Sequence, residues 1–221
     1  GRVRETLGLD RTRLLHPSLM YTLFNVYWRQ MAPLTLVEAF TSFSTLSPVD
    51  TVNLDGHLPD KYVAVKFYSN MALPDSSENR EMIAEILREL TKTIDVVILN
   101  TGQKFDDHTE YPVEVQSRIH TVRHLMTPQN NLEIQTKIIS RATAFVGTYG
   151  GFSYLAPLLG TDTLAFFSHA TGFRWDHLEL AKRVFSSVSG GSFVALDARD
   201  RGVIRLGFSD GIKTSVDVTG T

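Results

Sequence analysis

Short apolar runs alternate with amphipathic stretches through most of the chain after residue 61. The first run, residues 62–68, is rich in β-branched and aromatic residues and predicts a strand. A nearly continuous apolar run over 94–99 is typical of a central parallel strand that is covered on both faces. Four more strands are predicted at 119–125, 144–149, 163–167 and 193–196.

The stretches between these runs have the spacing of helices. Asp75 stands three residues before Glu78, which predicts a helix with Asp75 at its N-cap. Asn131 is the predicted cap of a second helix, and further helices are predicted over 152–159 and 175–188. Strands that alternate with helices of this length predict an α/β fold: a Rossmann-like parallel sheet with flanking helices.

The first sixty residues have a different pattern. Pro17 is suited to the first position of a helix, and residues 19–28 are apolar on nearly every side. Such a segment is either a helix buried on several faces, which we favour, or a contact surface for a missing partner. We therefore expect a helical N-terminal segment and connector over 1–60, a Rossmann-like domain over 61–200 and a peripheral tail over 201–221.

Composition narrows the classes of function. The 221 residues include 22 Lys and Arg against 24 Asp and Glu, and a net charge of −2 argues against a general nucleic-acid surface. The absence of cysteine excludes disulfides and thiolate metal sites and suits a reducing compartment, so we expect a cytoplasmic protein. No apolar run is long enough to cross a bilayer. The chain begins at Gly1 without a methionine, which indicates a piece of a longer protein.

The most informative candidate chemistry lies between the strand at 144–149 and the helix that follows. In an open α/β sheet, ligands bind at the carboxyl ends of the strands. Gly150 and Gly151 allow the backbone to approach a ligand there, and the N–H groups of a helix start favour phosphate, with Ser153 as an added hydroxyl donor. The alternative is a tight turn with a capping serine.

Two other loops are weaker candidates. Lys66 ends a buried strand, where its charge needs an anionic partner such as a phosphate, unless the ammonium reaches water. Residues 125–127 lie on a loop that ends in proline and form either one wall of a base-binding slot or an ordinary turn. Asp106, Asp107 and His108 have metal-ligand side chains, but acid pairs in polar loops are usually solvated, so we expect no metal.

Three enzyme classes fit poorly. Leu155 replaces the second glycine of the Gly-x-Ser-x-Gly nucleophile elbow, which argues against a serine hydrolase. The first strand is followed by no glycine over 66–74, so the dinucleotide fingerprint of an oxidoreductase is absent. The chain also has no lysine after a glycine-rich loop, so it lacks the Walker A motif of P-loop nucleotide hydrolases.

Residues 138–167 carry a family resemblance. They hold the helix end Ser140-Arg141-Ala142, a strand, Gly150-Gly151-Phe152-Ser153, the helix segment 155–160 ending in Leu-Gly, and another apolar strand. This pattern resembles the C-terminal nucleotide-sugar-binding domain of GT-B glycosyltransferases, in its heptosyltransferase-like form. The resemblance covers roughly 62–197 and is one of fold rather than of subfamily.

The resemblance implies a binding site for a nucleotide-diphosphate sugar, which would be the donor substrate, with no further cofactor. It implies donor diphosphate at the glycine turn, a further phosphate contact from the first strand, base contacts from the loop at 125–127, and the donor sugar near 169–172. The implied positions are Lys66, Ser69, Leu125, Met126, Thr127, Glu133, Tyr149, Gly150, Gly151, Phe152 and Ser153, with Glu133 as a candidate for the ribose. The resemblance assigns no catalytic base, because in this family the base and the acceptor site belong to an N-terminal Rossmann domain. The sixty residues that precede the first strand here are too few to form such a domain.

The function implied is transfer of a sugar, without a metal, from a nucleotide-diphosphate carrier to a glycan or other acceptor. The transfer would be performed by this chain, or by a larger enzyme of which this chain is the donor-binding half. Two alternatives stay open. One is a sugar-nucleotide epimerase of the same architecture. The other is a non-catalytic interaction module that retains the fold and docks through the helix at 19–28.

Overall fold

A six-stranded parallel sheet forms the centre of the molecule. The computed structural model describes residues 17–47, 52–103, 108–188 and 190–200. The sheet has the order β5-β3-β1-β6-β7-β8, and a separate antiparallel pair joins β2 to β4. The strands are β1 (Tyr62–Lys66), β2 (Tyr68–Ser69), β3 (Asp95–Ile98), β4 (Thr109–Glu110), β5 (Ile119–Thr121), β6 (Ala144–Thr148), β7 (Thr163–Phe167) and β8 (Phe193–Asp197).

Helices cover both faces of this sheet. They are α1 (Pro17–Trp28), α2 (Leu34–Phe40), α3 (Ser77–Leu90), α4 (Asn131–Arg141), α5 (Gly151–Leu158) and α6 (Trp175–Ser187), with short 3-10 turns at Arg123–Leu125 and Ala170–Gly172. The apolar stripe of α3 packs against Val63 and Val65 of β1, whereas α4 packs against Ala64 on the opposite face. The predicted α/β fold with a Rossmann-like parallel sheet is confirmed. Among the described residues, no helix has the length and apolar character needed to cross a membrane.

The strand order places a switch point between β1 and β6. From β1 the chain moves outward through β3 to β5, then returns to the other side of β1 and continues through β6, β7 and β8. Lys66 of β1 is the register partner of Gly147 of β6, and a side chain at Gly147 would collide with the Lys66 carbonyl oxygen. The carboxyl ends of these two strands therefore flank the crevice where open α/β sheets bind ligands.

The first predicted strand is shorter than expected. β1 ends at Lys66, and Tyr68 and Ser69 leave the main sheet to pair with β4. The hydroxyl of Thr148 accepts a hydrogen bond from the Tyr68 N–H (2.9 Å) and donates one to the Tyr68 carbonyl (2.8 Å). The Thr148 hydroxyl thus bonds the two backbone groups of Tyr68 that would otherwise pair with a neighbouring strand. The apolar run of the sequence therefore extends beyond the end of the main-sheet strand.

Three predicted element boundaries are corrected. The N-cap of α3 is Ser76, whose Oγ accepts the Asn79 N–H, while the Asp75 carboxylate pairs with Arg80 instead. The N-cap position of α4 is Asn130 rather than Asn131. The strand predicted over 119–125 ends at Thr121, because the chain then tightens into the 3-10 turn at Arg123–Leu125.

Helices α1 and α2 pack against α6. The Tyr27 hydroxyl donates to the carbonyl of Asp176 (2.9 Å), and Tyr27, Leu34 and Val37 form a buried cluster. Part of the apolar surface of the N-terminal segment is therefore buried in contacts within the chain, whereas Met31 and Phe40 of the same segment are exposed. Residues 1–16, 48–51 and 201–221 lie outside the described residues, so the predicted tail and domain limits stay predictions.

The contact between α1 and α6 contains a histidine that we expect to be sensitive to pH. The rings of Trp28 and His177 lie 4.7 Å apart, and the buried Nε2 of His177 has no hydrogen-bond partner among the described residues. Burial lowers the pKa of His177 below its usual value of 6.5; the neighbouring Asp176 carboxylate opposes this shift and Arg174 adds to it. Between that lowered pKa and 6.5 the unfolded chain binds a proton that the folded chain does not, so stability falls as the pH falls through this window.

Thermal denaturation between pH 7.5 and pH 5.5 tests this expectation. The Tm should fall on acidification, with a larger fall in the wild-type protein than in His177→Phe, which keeps a ring against Trp28 and cannot be protonated. Equal falls in the two proteins would show that His177 contributes nothing to the pH dependence.

Candidate functional site

A glycine turn lies at the switch point, where β6 leads into α5. The Ser153 Oγ accepts the Gly150 N–H (3.0 Å) and donates to the Gly150 carbonyl (2.8 Å), and that carbonyl also accepts the Tyr154 N–H (3.1 Å). Ser153 is fully buried. Its hydroxyl therefore holds the shape of the turn from the N3 position of α5, while the N-cap, which the alternative assigned to a serine, is Gly150.

The outer side of the turn is open. A side chain built at Gly151 would meet no atom within 4 Å, and Gly151 is exposed. The amides of Gly151 and Phe152 belong to the first turn of α5, and in the described part of the chain no acceptor takes their hydrogens. Because the helix dipole adds partial positive charge at this end, the turn offers an anion two amide donors with room above them.

Side chains from the loop after β1 close one side of the turn. The Tyr68 hydroxyl occupies the space that a side chain at Gly150 would need, so glycine is required there. The Asn70 Nδ2 donates to the Tyr149 carbonyl (3.3 Å), and its Oδ1 accepts the amides of Ala72 and Leu73. The predicted site residue Ser69 lies in β2 beside Tyr68, half-buried and paired with Thr109. These contacts fix the glycine turn relative to the wall formed by β2 and β4.

Lys66 lies beneath this wall and is paired with Glu110. Its Nζ is 3.0 Å from both the Glu110 Oε1 and the Leu99 carbonyl oxygen, and the side chain is 8% exposed. Burial lowers the pKa of Lys66, although the Glu110 carboxylate opposes the shift. The ammonium thus has the anionic partner that its position demands, and the chain itself supplies that partner.

Glu110 is held by more than the lysine. Its Oε1 accepts the amide of Thr101 (2.8 Å) and its Oε2 accepts the amide of Gly102 (2.8 Å). Burial alone would raise the pKa of Glu110, but these amides and the Lys66 ammonium together hold it below its usual value. Glu110 therefore links β4 to the ends of β1 and β3.

Phe152 connects the glycine turn to the predicted base-binding loop. Its ring centroid is 5.0 Å from the Lys66 Nζ, and the ring packs on the same apolar cluster as Leu125 and Met126. Met126 is itself a core residue. These contacts bring the two predicted segments to one side of the sheet.

Thr127 and Glu133 are less closely tied to the turn. The Thr127 amide and hydroxyl both donate to the Asn130 Oδ1, which folds the segment into a local turn before α4. Glu133 lies in the first turn of α4, and no residue in the described ranges forms a hydrogen bond with its buried Oε1. No hydrogen bond or ion pair between described residues joins either side chain to the glycine turn.

Sequence reasoning missed Glu110, Tyr68 and Asn70. The two predicted environments of Lys66 were a bound phosphate and open water, and the observed partner is instead a carboxylate of the chain. No local pattern identified which one, because Glu110 lies 44 residues away in a polar segment. Asp106 and Asp107 lie outside the described residues, and within the described ranges no three metal-ligating side chains cluster.

The turn is an open crevice rather than an enclosed cavity. A concavity of about 260 Å³ lies elsewhere, between α3 and the segment at 111–119, lined by Ile83, Leu87 and Tyr111 among others. We place the candidate site at the glycine turn, because free backbone donors and the switch point coincide there.

Comparisons with known proteins show little similarity. No protein-family model matches the chain, and no curated protein matches it. Among solved structures, the chain is similar to KpsC of Thermosulfurimonas dismutans, a beta Kdo 2,4 transferase, with 14% identity over 72% of this chain and a TM-score of 0.35. The match covers 48% of that protein, so this chain spans about half its length. At this TM-score the likeness carries no argument about function.

Proposed function

We propose that this chain binds the diphosphate of a nucleotide sugar at the glycine turn and is the donor-binding part of a glycosyltransferase. The observation that carries the proposal is the pair of open amides at Gly151 and Phe152, placed at the switch point of a parallel sheet. The resemblance of residues 138–167 to the nucleotide-sugar-binding half of GT-B glycosyltransferases supports the same assignment.

The turn suits the departure of a diphosphate. When the bond between sugar and diphosphate breaks, negative charge grows on the leaving phosphate oxygens. Fixed amide donors and the α5 dipole stabilise that charge without having to reorganise, which is the usual origin of large electrostatic effects in catalysis. The Glu110 carboxylate is already engaged by Lys66 and by two amides, so we propose that the chain's own donors, rather than a metal held by this carboxylate, stabilise the charge.

Other parts of the reaction belong to groups outside this site. Of the described side chains that contact the turn, which are Tyr68, Asn70 and Ser153, none is a carboxylate or an imidazole that would serve as a general base for the acceptor hydroxyl. We propose that the base and the glycan or other acceptor are presented by another domain. This arrangement would make the present chain competent to bind the donor and incompetent to transfer the sugar alone.

Isothermal titration calorimetry with UDP, GDP, ADP, TDP and CMP tests the proposal on the chain as it stands. We expect one nucleoside diphosphate to bind with a Kd on the order of micromolar, and CMP, which has a single phosphate, to bind much more weakly than that diphosphate and than CDP, which is added to the panel as its matched control. Failure of every nucleotide to bind would overturn the proposal. Incubation of the bound nucleotide sugar without acceptor, followed by product analysis, would reveal the epimerase alternative as an isomerised sugar.

A further inference from the structure

A groove runs along the outer side of α3, where residues 111–119 pack beside this helix. One half of it is the concavity of about 260 Å³, and the other half is an open hollow of about 510 Å³ at the C-terminal end of α3. Arg88 and Gln116 line both halves, so the two are continuous, and we call them together the α3 groove. The residues of the glycine turn line neither half, so the groove is a separate feature of the molecule.

The first half of the α3 groove is apolar. Its floor is formed by the buried side chains of Ile83, Leu87, Tyr111 and Ile119. Ala84 also lines it and is exposed, so a small side chain leaves the space between the helix and the neighbouring segment open. A space of this size above an apolar floor suits an alkyl or aryl group, because removing such a group from water is favourable.

The charges at this apolar end do not favour an anion. Arg80 lines it, but its guanidinium is already paired with the Asp75 carboxylate. Glu114 lines it as well and adds negative charge. An anionic group in the α3 groove is therefore expected at the other end.

The second half is cationic. Lys92 is paired with Glu89 (2.7 Å), whereas the Arg88 guanidinium forms no hydrogen bond or ion pair with a described residue. Arginine binds phosphate and carboxylate groups through paired hydrogen bonds, so this end suits an anion. Of the described residues that line it, three are cations, three are uncharged and polar, and none is acidic: Arg88, Lys92, Arg118, Thr91, Gln116 and Ser117.

Arg118 occupies a backbone conformation that favours glycine. Its φ is +67°, which is costly for a residue with a side chain. The Arg118 carbonyl accepts the Val96 amide (2.8 Å), a bond that glycine would form equally well. The Arg118 side chain must therefore offset the cost. Its Nη1 donates over 3.5 and 3.3 Å to the carbonyls of Thr91 and Lys92, which are long bonds that leave most of the guanidinium N–H groups for another acceptor.

We propose that the α3 groove binds a free single-chain amphiphile, with its phosphate or carboxylate head on Arg88 and Arg118 and its chain in the apolar half. Charge complementarity sets the direction, since the cations line one end and Glu114 lines the other. Ile83 and Arg88 are separated by roughly 7 Å along the helix axis, so a chain attached to the head can reach the apolar floor. This site goes beyond the proposed function and does not depend on it.

Calorimetry on the full chain tests the proposal with inorganic phosphate, with butyl, hexyl and octyl phosphate, and with octanoate, each below its micelle-forming concentration. Inorganic phosphate should bind most weakly, and the affinity should rise roughly tenfold for each added pair of methylenes until the apolar half is filled. Octyl phosphate and octanoate have chains of similar length, so the tighter of the two identifies the preferred head group. Equal affinities for inorganic phosphate and octyl phosphate, or no binding by any probe, would overturn the proposal.

Variants of each half locate the ligand. Arg88→Gln and Arg118→Gly should each weaken octyl phosphate at least about tenfold, as for a lost charge-assisted hydrogen bond. Arg141→Gln is the matched control, because Arg141 and Arg88 are the arginines in the last turns of α4 and α3, and it should leave the affinity unchanged. Ala84→Phe should fill the apolar half and remove the dependence on chain length, while the affinity for inorganic phosphate is kept. A lowered Tm in Arg118→Gly with unchanged affinity would reduce Arg118 to a cap on α3 and overturn the assignment.

Two further measurements separate this site from other ligands and surfaces. Gly151→Ala should leave the affinity for octyl phosphate unchanged; a loss would place the phosphate at the glycine turn, which overturns the α3 groove and leaves the proposed function standing. Light scattering should show a monomer. A dimer that Ala84→Phe dissociates would mean that a second copy of the chain covers the groove, and would also overturn the proposal.

Discussion

Gly151→Ala is expected to remove most of the affinity for a nucleoside diphosphate while the protein remains folded. The new methyl group meets no atom of the chain within 4 Å, so the fold accommodates it, yet it projects into the open space in front of the turn. A phosphate that is displaced from the two amides loses charge-assisted hydrogen bonds, each worth roughly 1.5–3 kcal/mol, so we expect a loss of at least about tenfold in affinity. Calorimetry with the best nucleotide of the panel measures this loss.

The fold of the same variant is checked by thermal denaturation. Alanine has a higher helix propensity than glycine by about 1 kcal/mol in helix interiors, so the Tm of Gly151→Ala should not fall. Ser77→Ala, at the equivalent first position of α3, is the control and should leave nucleotide affinity unchanged. An affinity in Gly151→Ala equal to that of the wild type would place the ligand away from the turn.

The fold could be predicted because its strongest signals are local. A strand must be apolar where both its faces are buried, as over residues 96–98 of β3, and an amphipathic helix such as α3 must carry an apolar stripe. The boundaries were less predictable, since a side chain from a distant element decides them. The hydroxyl of Thr148 ends the main-sheet strand before Tyr68, and no property of residues 62–68 announces this.

The candidate site was predictable to a smaller extent. Gly150 and Gly151 stand out because a pair of glycines between a strand and a helix has few other uses. The partner of Lys66 was not predictable, since a buried ammonium requires an anion without specifying whether a ligand or the chain supplies it.

Glu110→Gln is expected to destabilise the protein by roughly 2–4 kcal/mol, since it leaves the buried Lys66 ammonium without a counter-charge. The amide of glutamine also presents a donor where the carboxylate accepts from Lys66, Thr101 and Gly102. Lys66→Met should cost less, about 1–2 kcal/mol, because Glu110 keeps its backbone donors and a thioether chain fills the lysine's space. Urea denaturation at pH 7 measures both values.

The double variant Lys66→Met/Glu110→Gln tests whether the two side chains act as a pair. Removing both charges should cost at least about 1 kcal/mol less than the sum of the single changes, whereas strictly additive costs would mean that the pair is not coupled.

The pH dependence of the stabilisation by Glu110 has a definite sign. Because the folded chain holds the pKa of Glu110 below its ordinary value of 4.5, its stabilising effect is complete above that pH and is lost as the pH falls through the lowered pKa. The difference in stability between wild type and Glu110→Gln should therefore shrink below about pH 4.5.

The affinity of Lys66→Met for the nucleotide assigns the role of this lysine. If its ammonium stays with Glu110 and the Leu99 carbonyl when the ligand binds, the variant keeps its affinity within about threefold at temperatures where it is folded, since the Glu110 carboxylate already balances the charge of the ammonium. If the diphosphate draws the ammonium away from Glu110, the affinity falls by tenfold or more, as for a lost charge-assisted hydrogen bond. In that case Glu110→Gln should bind the nucleotide more tightly than the wild type, because a lysine that is no longer paired with a carboxylate can form a hydrogen bond to the phosphate. The two variants thus distinguish a lysine that braces the sheet edge from one that exchanges an internal anion for a bound one.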